Sequence, residues 1–268
     1  FAYMSDMPVL EPATVAESYE LTKYAFELSA RIKSPVMVRS VTNVAQSHAM
    51  VEIDEYKPAM VAAPHFTRDI TKYTKAGAAI CMNQHHSLLA RLALSGRLMS
   101  ENKINTLDLG KRGGLAIISV GALNSFVDEG LEIAAAYGAD IDGVSRLRVS
   151  SSNPPPADEI RELLDYCGSL IVIEELGTFI EQAVYREGYK AGIHKPVFGK
   201  EQGVFSPVGS FDAVSVAKGV LTAQAISIPE ALNIAHVPAE RLCIEREIGV
   251  CAGCPHRGVY LAINDAIK

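Results

Sequence analysis

The sequence has no apolar run approaching the roughly 18 residues that a membrane span requires, so a membrane role is not expected. It has no excess of basic residues. The formal net charge is −6, which withholds the cationic footprint that nucleic-acid binding normally needs. Phe1-Ala-Tyr-Met-Ser-Asp6 lacks the basic and then apolar regions of a signal peptide. The five cysteines are an odd number, and three crowd one end: Cys243, Cys251 and Cys254. That is too few for a secreted disulfide scaffold and points to a reducing, cytoplasmic compartment. Cys81 and Cys167 are expected in the core, because a free cysteine packs as a small hydrophobe. The chain also lacks Gly-x-Gly-x-x-Gly, a phosphate loop ending in Gly-Lys-Ser/Thr, Gly-x-Ser-x-Gly and His-Glu-x-x-His. No internal repeat or low-complexity run is evident.

What is present is an ordinary globular composition, 49% hydrophobic and 21% charged, over 268 residues. This allows one large or two modest domains. Thr14, with Glu17 three residues on, forms a capping-box pattern for a helix over 14–32, ended by Ser34-Pro35. Pro35–Arg39 reads as a buried strand. An Ala- and Leu-rich helix is expected over 78–101, with Arg91 and Arg97 on its outer face. From 113 onward the pattern is regular. Strands are expected at 115–120, 144–149 and 169–174. Helices are expected at 122–137, 157–166, 177–188 and 209–222. That alternation describes a parallel sheet covered by helices, an α/β fold. Segment 226–250, marked by Pro229 and Pro238, reads as a linker, and Val259–Lys268 as a helix. Both ends look unfinished, as in an internal piece of a longer chain.

The sharpest chemical signal is Cys251-Ala-Gly-Cys254-Pro-His-Arg257. Two thiolates two residues apart can bite one metal or cluster iron from a tight turn that Gly253 permits. A closed site needs four ligands, and no second pair exists. His256 is a candidate third ligand. A zinc ribbon, a redox pair and unliganded cysteines all stay open. Ligands in open parallel sheets gather at the carboxyl ends of strands. Here those ends are 119–121, 150–153 and 174–175. Gly121 opens a helix able to receive an anion. Glu174 and Glu175 could act as general bases or, more commonly for such acids, cap a helix. His85 and His86 are expected to face solvent or a domain contact.

The chain resembles the large, thiamine-diphosphate-dependent subunit of indolepyruvate:ferredoxin oxidoreductase. The resemblance rests on Pro8-Val-Leu-Glu-Pro12, Ala25–Ser29, Ser34–Arg39, Leu115–Gly121, Ile171–Leu176 with Phe179-Ile-Glu181, and Cys251–Gly258, in the family's order. It implies the end of a pyrimidine-binding-like domain at 1–47 and a helical connector at 48–109. A transketolase C-terminal-like domain follows at 110–225, then a linker and the start of a diphosphate-binding domain at 226–268. The implied chemistry is oxidative decarboxylation of a 2-oxo acid, an arylpyruvate such as indolepyruvate. The cofactors would be thiamine diphosphate, Mg2+ and a [4Fe-4S] cluster. The partners would be coenzyme A, ferredoxin and a smaller gamma/beta-type subunit in a hetero-oligomer. The resemblance also implies cofactor binding by Cys254, His256 and Arg257, and cluster ligation by Cys251 and Cys254. Ser150–Pro156 departs from the family's Leu-Pro loop, and Pro255-His256 replaces a glycine of related pyruvate enzymes. The first departure leaves room for another aryl or alkyl substrate, and the second bears on the cluster ligation by Cys251 and Cys254. A different class of reading makes the piece a non-catalytic assembly domain.

Overall fold

The structure is a computed structural model, and it describes residues 2–53, 55, 66–233, 249 and 253–268. It contains two compact units, Phe1–Leu232 and Asn233–Lys268.

The first unit opens with a short strand β1 (Val9–Leu10), helix α1 (Val15–Ile32), strand β2 (Met37–Val38) and a single turn α2 (Thr42–Ala45). Helix α1 starts where its cap chemistry dictates. The Thr14 hydroxyl accepts the Glu17 N–H at 3.1 Å, and the Glu17 carboxylate reaches back to the Ala13 N–H at 2.7 Å. The box therefore closes one residue earlier than its standard form, but it still satisfies two orphan donors of the first turn. The chain leaves α1 through Lys33 in a left-handed conformation, φ 54°. β2 pairs in parallel with β1, Val9 opposite Met37. The strand expected over 35–39 is shorter than its sequence pattern, and it is half-buried rather than buried. It has a partner on one side only, and Arg39 ends it.

Next come a short turn α3 (Ile70–Tyr73) and the 24-residue helix α4 (Ala78–Glu101). Only the end of α4 enters the core. Ser95, Leu98 and Met99 are buried, and Leu98 and Met99 pack against Leu10, Leu21, Ala25, Leu28 and Ile32. Two expectations fail here for that reason. Cys81 is exposed, because its end of α4 has nothing covering it. Arg91 is half-buried instead of outward, since it lies where the helix begins to be covered, whereas Arg97 is exposed.

The sheet follows: β3 (Thr106–Asp108), β4 (Leu115–Val120), α5 (Val127–Ala136), β5 (Ser145–Val149), α6 (Ala157–Tyr166), β6 (Ser169–Ile173), α7 (Phe179–Ala191), β7 (Val197–Phe198) and α8 (Ala213–Ala223). Its order is β3-β5-β4-β6-β7. All neighbours are parallel except β3, which runs antiparallel on the β5 edge. The fold class is therefore α/β, a mostly parallel sheet flanked by helices. Residues 121–126 form a 3-10 helix before α5, so the expected helix at 122–137 begins one turn late.

Strand periodicity sorts side chains onto two faces. On β4, Ala116, Ile118 and Val120 join Ile160, Leu163 and Leu164 of α6 and Ile180, Ala183 and Val184 of α7. The alternate residue Ile117 joins Val127, Leu131 and Ala134 of α5 and Val216, Val220 and Leu221 of α8. A helix therefore covers each face twice, which is why these strands read as continuous apolar runs. α5 and α8 touch at Gly130, where a Cβ would stand 2.6 Å from the Val216 side chain.

The second unit contains helix α9 (His256–Ile267). No helix among the described residues is long and apolar enough to cross a membrane.

Candidate functional site

The strand order β5-β4-β6 creates a switch point. From β4 the chain moves to one side and returns to build on the other, so a crevice opens at the carboxyl ends of β4 and β6. The structure places a cleft there, lined by Val120 and Ala122 after β4, Ser152 after β5, and Glu174 and Glu175 after β6. The N-terminal strand pair supplies the opposite wall. Glu11 follows β1, Arg39 follows β2, and both line the same cleft. The wall is fixed by backbone bonds. The Val9 N–H donates to the Asn153 carbonyl at 2.8 Å, and the Glu11 N–H to the Ser150 carbonyl at 2.7 Å. The Asn153 amide donates to the Met7 carbonyl at 2.7 Å.

The polar centre is a small network. Glu11 is 5% exposed, and its carboxylate accepts from the Arg39 guanidinium and from the Ser152 hydroxyl. The other Arg39 nitrogen lies 3.4 Å from Glu175. Arg39 keeps about a third of its side chain exposed, at 36%. It is the one cation among the residues lining this cleft. An adjoining, mostly apolar lobe of about 350 Å³ is framed by Tyr3, Val9, Met37, Leu176 and Phe179. The rings of Tyr3 and Phe179 stand 5.8 Å apart. Gly121 meets this site from below with φ +54°, and a Cβ there would lie 3.1 Å from Glu11.

The acids after β6 divide their roles. Glu174 is buried and accepts the Ile180 N–H at 2.8 Å and the Glu181 N–H at 2.9 Å. It caps α7, which is the commoner reading of such an acid. Burial raises its carboxyl above the ordinary range, against the pull of those two N–H groups and of Lys200. Glu181, fully buried, accepts the Lys200 and Glu201 N–H groups at 2.9 and 3.2 Å, and burial raises it too. The Lys200 ammonium donates to the Glu174 carbonyl, and burial lowers its affinity for a proton. Glu174 is thus committed to α7, while Glu175 meets Arg39 in the cleft.

The cysteine motif belongs to the second unit. Cys251 falls outside the described residues. Cys254 is half-buried one step ahead of α9, following Gly253 at φ +76°. The Arg257 N–H donates to the Cys254 carbonyl at 3.1 Å. His256 and Arg257 are exposed at the first turn of α9, which has no side-chain cap. The described residues contain no group of three or more His, Cys, Asp or Glu able to hold a metal. They offer one thiol at this place, that of Cys254. The uncapped helix start, with a histidine and an arginine, fits an anion such as a diphosphate in kind. His85 and His86 are exposed on α4, as expected.

Glu11 and Arg39 were not singled out by sequence, whereas Ser152 falls within the strand end 150–153 that was. A signal existed: Pro8–Glu11 and Pro35–Arg39 are both short apolar runs that end on a charge. What the sequence could not supply was their meeting, across 28 and 141 residues of chain.

The architecture is shared with a solved 2-oxoacid oxidoreductase. A 2-oxoglutarate:ferredoxin oxidoreductase from Magnetococcus marinus superposes with a TM-score of 0.55 at 13% identity. The match covers 81% of this chain and 42% of that one, a likeness of fold. Among curated proteins, the chain is similar to indolepyruvate oxidoreductase subunit IorA. The identity is 25% over 274 residues in Thermococcus kodakarensis and 25% over 269 in Methanothermobacter thermautotrophicus. Each match covers 99% of this chain. The resemblance drawn from the sequence blocks is thereby borne out. The chain spans 41% of the length of these relatives. No family model matches it.

Proposed function

We propose that this chain is part of a 2-oxoacid:ferredoxin oxidoreductase that decarboxylates an arylpyruvate such as indolepyruvate to an acyl-CoA and passes electrons to ferredoxin. The observation that carries this reading is the end-to-end similarity to IorA subunits. On this reading residues 1–47 close a pyrimidine-binding-like domain and 48–109 connect it to the next. Residues 110–225 are a transketolase C-terminal-like domain, and 226–268 enter a diphosphate-binding domain. A smaller gamma/beta-type subunit completes a cytoplasmic hetero-oligomer.

Thiamine diphosphate, held with Mg2+, would supply the electron sink that loss of carbon dioxide from a 2-oxo acid requires. In this chain the α9 start, with His256, Arg257 and the neighbouring Cys254, would face its diphosphate. Cys251 and Cys254 would contribute thiolates to a [4Fe-4S] cluster whose other ligands come from outside the described residues. The strand-end cleft would hold the substrate. Its apolar lobe suits an aryl side chain. Arg39, exposed on one side and held by Glu11 on the other, suits the carboxylate.

The test uses the full-length chain with its partner subunit, assayed with indolepyruvate. Cys254→Ala is expected to lower iron content, and His256→Ala to weaken thiamine diphosphate binding. Arg39→Lys is expected to raise KM about tenfold or more, since a bidentate contact is lost. Unchanged cofactor content and unchanged KM in all three would refute the assignment.

A further inference from the structure

Arg39 is engaged twice within its own chain. One nitrogen donates to Glu11, and the other stands 3.4 Å from Glu175. Both acids line the polar end of the strand-end cleft together with Glu174, and Arg39 is the single cation among the lining residues. A third carboxylate placed on Arg39 would therefore meet more negative charge than positive. Like charges a few ångströms apart repel, and a partly buried setting screens that repulsion little. A ligand carboxylate gains here only if one of the resident acids withdraws.

The two acids are not held alike. Glu11 is buried, also accepts the Ser152 hydroxyl, and has Gly121 against it from below. The Glu175 side chain is 27% exposed. Its contact with Arg39 is longer than the roughly 2.7–2.9 Å of a strong charge-assisted bond. It makes no other side-chain hydrogen bond among the described residues. The turn that carries it is anchored at both ends and strained in the middle. Glu174 is fixed by the two α7 N–H groups it accepts and by Lys200 on its carbonyl. Thr178 is tied to Glu201 at 3.0 Å. Between them Leu176 stands at φ 58°, a left-handed conformation that costs a non-glycine residue. Leu176 is 67% exposed and gains little packing in return.

We infer that Glu175 stands in for the substrate carboxylate on Arg39 and is displaced by it, so that an acid enters only at the expense of this contact. The inference rests on the reading of Arg39 as the carboxylate site given above. Glu11 stays on Arg39 and keeps the guanidinium in place, while Glu175 swings out into water with the turn 175–177. A short acid has to displace Glu175 and leaves the apolar lobe unfilled. A neutral ring compound fills the lobe and leaves Glu175 where it is. A ligand with a carboxylate at one end and an apolar body at the other recovers in the lobe what the displacement costs. Glu175 is thus a positioning residue that acts through Arg39 and weakens every acid that the lobe does not compensate.

The test uses the full-length chain with its partner subunit and two probes, titrated by calorimetry. Indole-3-lactate carries the ring and the carboxylate but no ketone to decarboxylate, and indole-3-lactamide is its neutral counterpart. A partly exposed ion pair contributes up to about fivefold, and loss of the repulsion between Glu175 and the incoming acid adds to it. Glu175→Gln is therefore expected to tighten indole-3-lactate about five- to tenfold, with a gain that shrinks as salt rises. The amide should bind as before. A merely structural role for Glu175 would move both probes together. Arg39→Lys keeps a cation beside Glu11 and tests the reading beneath. It should weaken indole-3-lactate about tenfold or more and spare the amide. Circular dichroism confirms that both variants are folded. If the parent does not bind indole-3-lactate, or Arg39→Lys leaves its affinity unchanged, the reading of Arg39 falls and this inference with it. If Arg39→Lys weakens it while Glu175→Gln leaves it unchanged, weakens it, or tightens both probes alike, the carboxylate site stands and the displacement of Glu175 is overturned.

Discussion

Replacing Glu174 by Gln tests the balance of forces at the carboxyl end of β6. The carboxylate is 4% exposed and accepts two N–H groups from the first turn of α7. A glutamine oxygen can keep one of them, but its NH2 faces the other donor. The protonated carboxyl meets that donor with its own O–H, so it is the ionised carboxylate that accepts both. Losing one acceptor costs about 1–3 kcal/mol, and burying the charge costs a comparable amount in the opposite direction. A net of about 1 kcal/mol either way moves Tm by about 2–4 °C in a unit of this size. The pH dependence carries the sharper information. Burial raises this carboxyl above the ordinary 4.5, so the folded state holds its proton more tightly than the unfolded one. Stability from such a group is fully present below the unfolded value and is lost as pH rises through the folded one. Parent and E174Q should therefore melt alike near about pH 4, and E174Q should gain on the parent towards neutrality. Glu181, also raised, is present in both proteins and largely drops out of the difference. Melting curves by circular dichroism from about pH 4 to pH 8 give the answer. A parent that gains on E174Q as pH rises would show that the two N–H groups and Lys200 outweigh burial, and the reasoning would be refuted.

Three further outcomes are expected. Arg39→Ala leaves Glu11 buried without its cation and should cost about 3–5 kcal/mol in urea unfolding; E11Q/R39A should recover part of it. Gly130→Ala drives a Cβ to 2.6 Å from Val216 and should cost about 1–3 kcal/mol, with Val216→Ala as a partial suppressor. Thr14→Ala removes the α1 cap and should cost about 1 kcal/mol, read as a Tm lower by a few degrees.

The central sheet was legible because its strands are buried on both faces. Leu115–Val120 and Ser169–Ile173 stand out as apolar runs without needing to know their neighbours. Helix α1 was legible from local cap chemistry at Thr14 and Glu17. Elements whose stability comes from one partner were not. β3 at the antiparallel edge and the two-residue β7 have too few side chains to show a period. The position of Cys81 depended on whether anything covers the first half of α4, which composition does not encode. For the strand-end cleft, the sequence indicated the ends of β4, β5 and β6 and favoured the capping role of Glu174. It gave no hint that Glu11 and Arg39 face them, because that contact is long-range. The cysteine motif was easy to see and hard to place: Cys251 lies outside the described residues, and Cys254 alone defines no site.

The docking of β1 onto the loop after β5 has a consequence for how the cleft can be lost. Its polar centre joins Glu11 to Ser152 and Arg39 to Glu175, across 141 and 136 residues of chain. No contiguous piece shorter than residues 11–175 contains it. A ligand of this cleft would bind only when both stretches are in register, so its affinity reports completed tertiary structure and not local order. By linkage such a ligand would raise the unfolding free energy of the whole 1–232 unit as one body. Truncation from the N-terminal side, past β1, would abolish binding as completely as removal of β6, although the parallel sheet itself would be untouched.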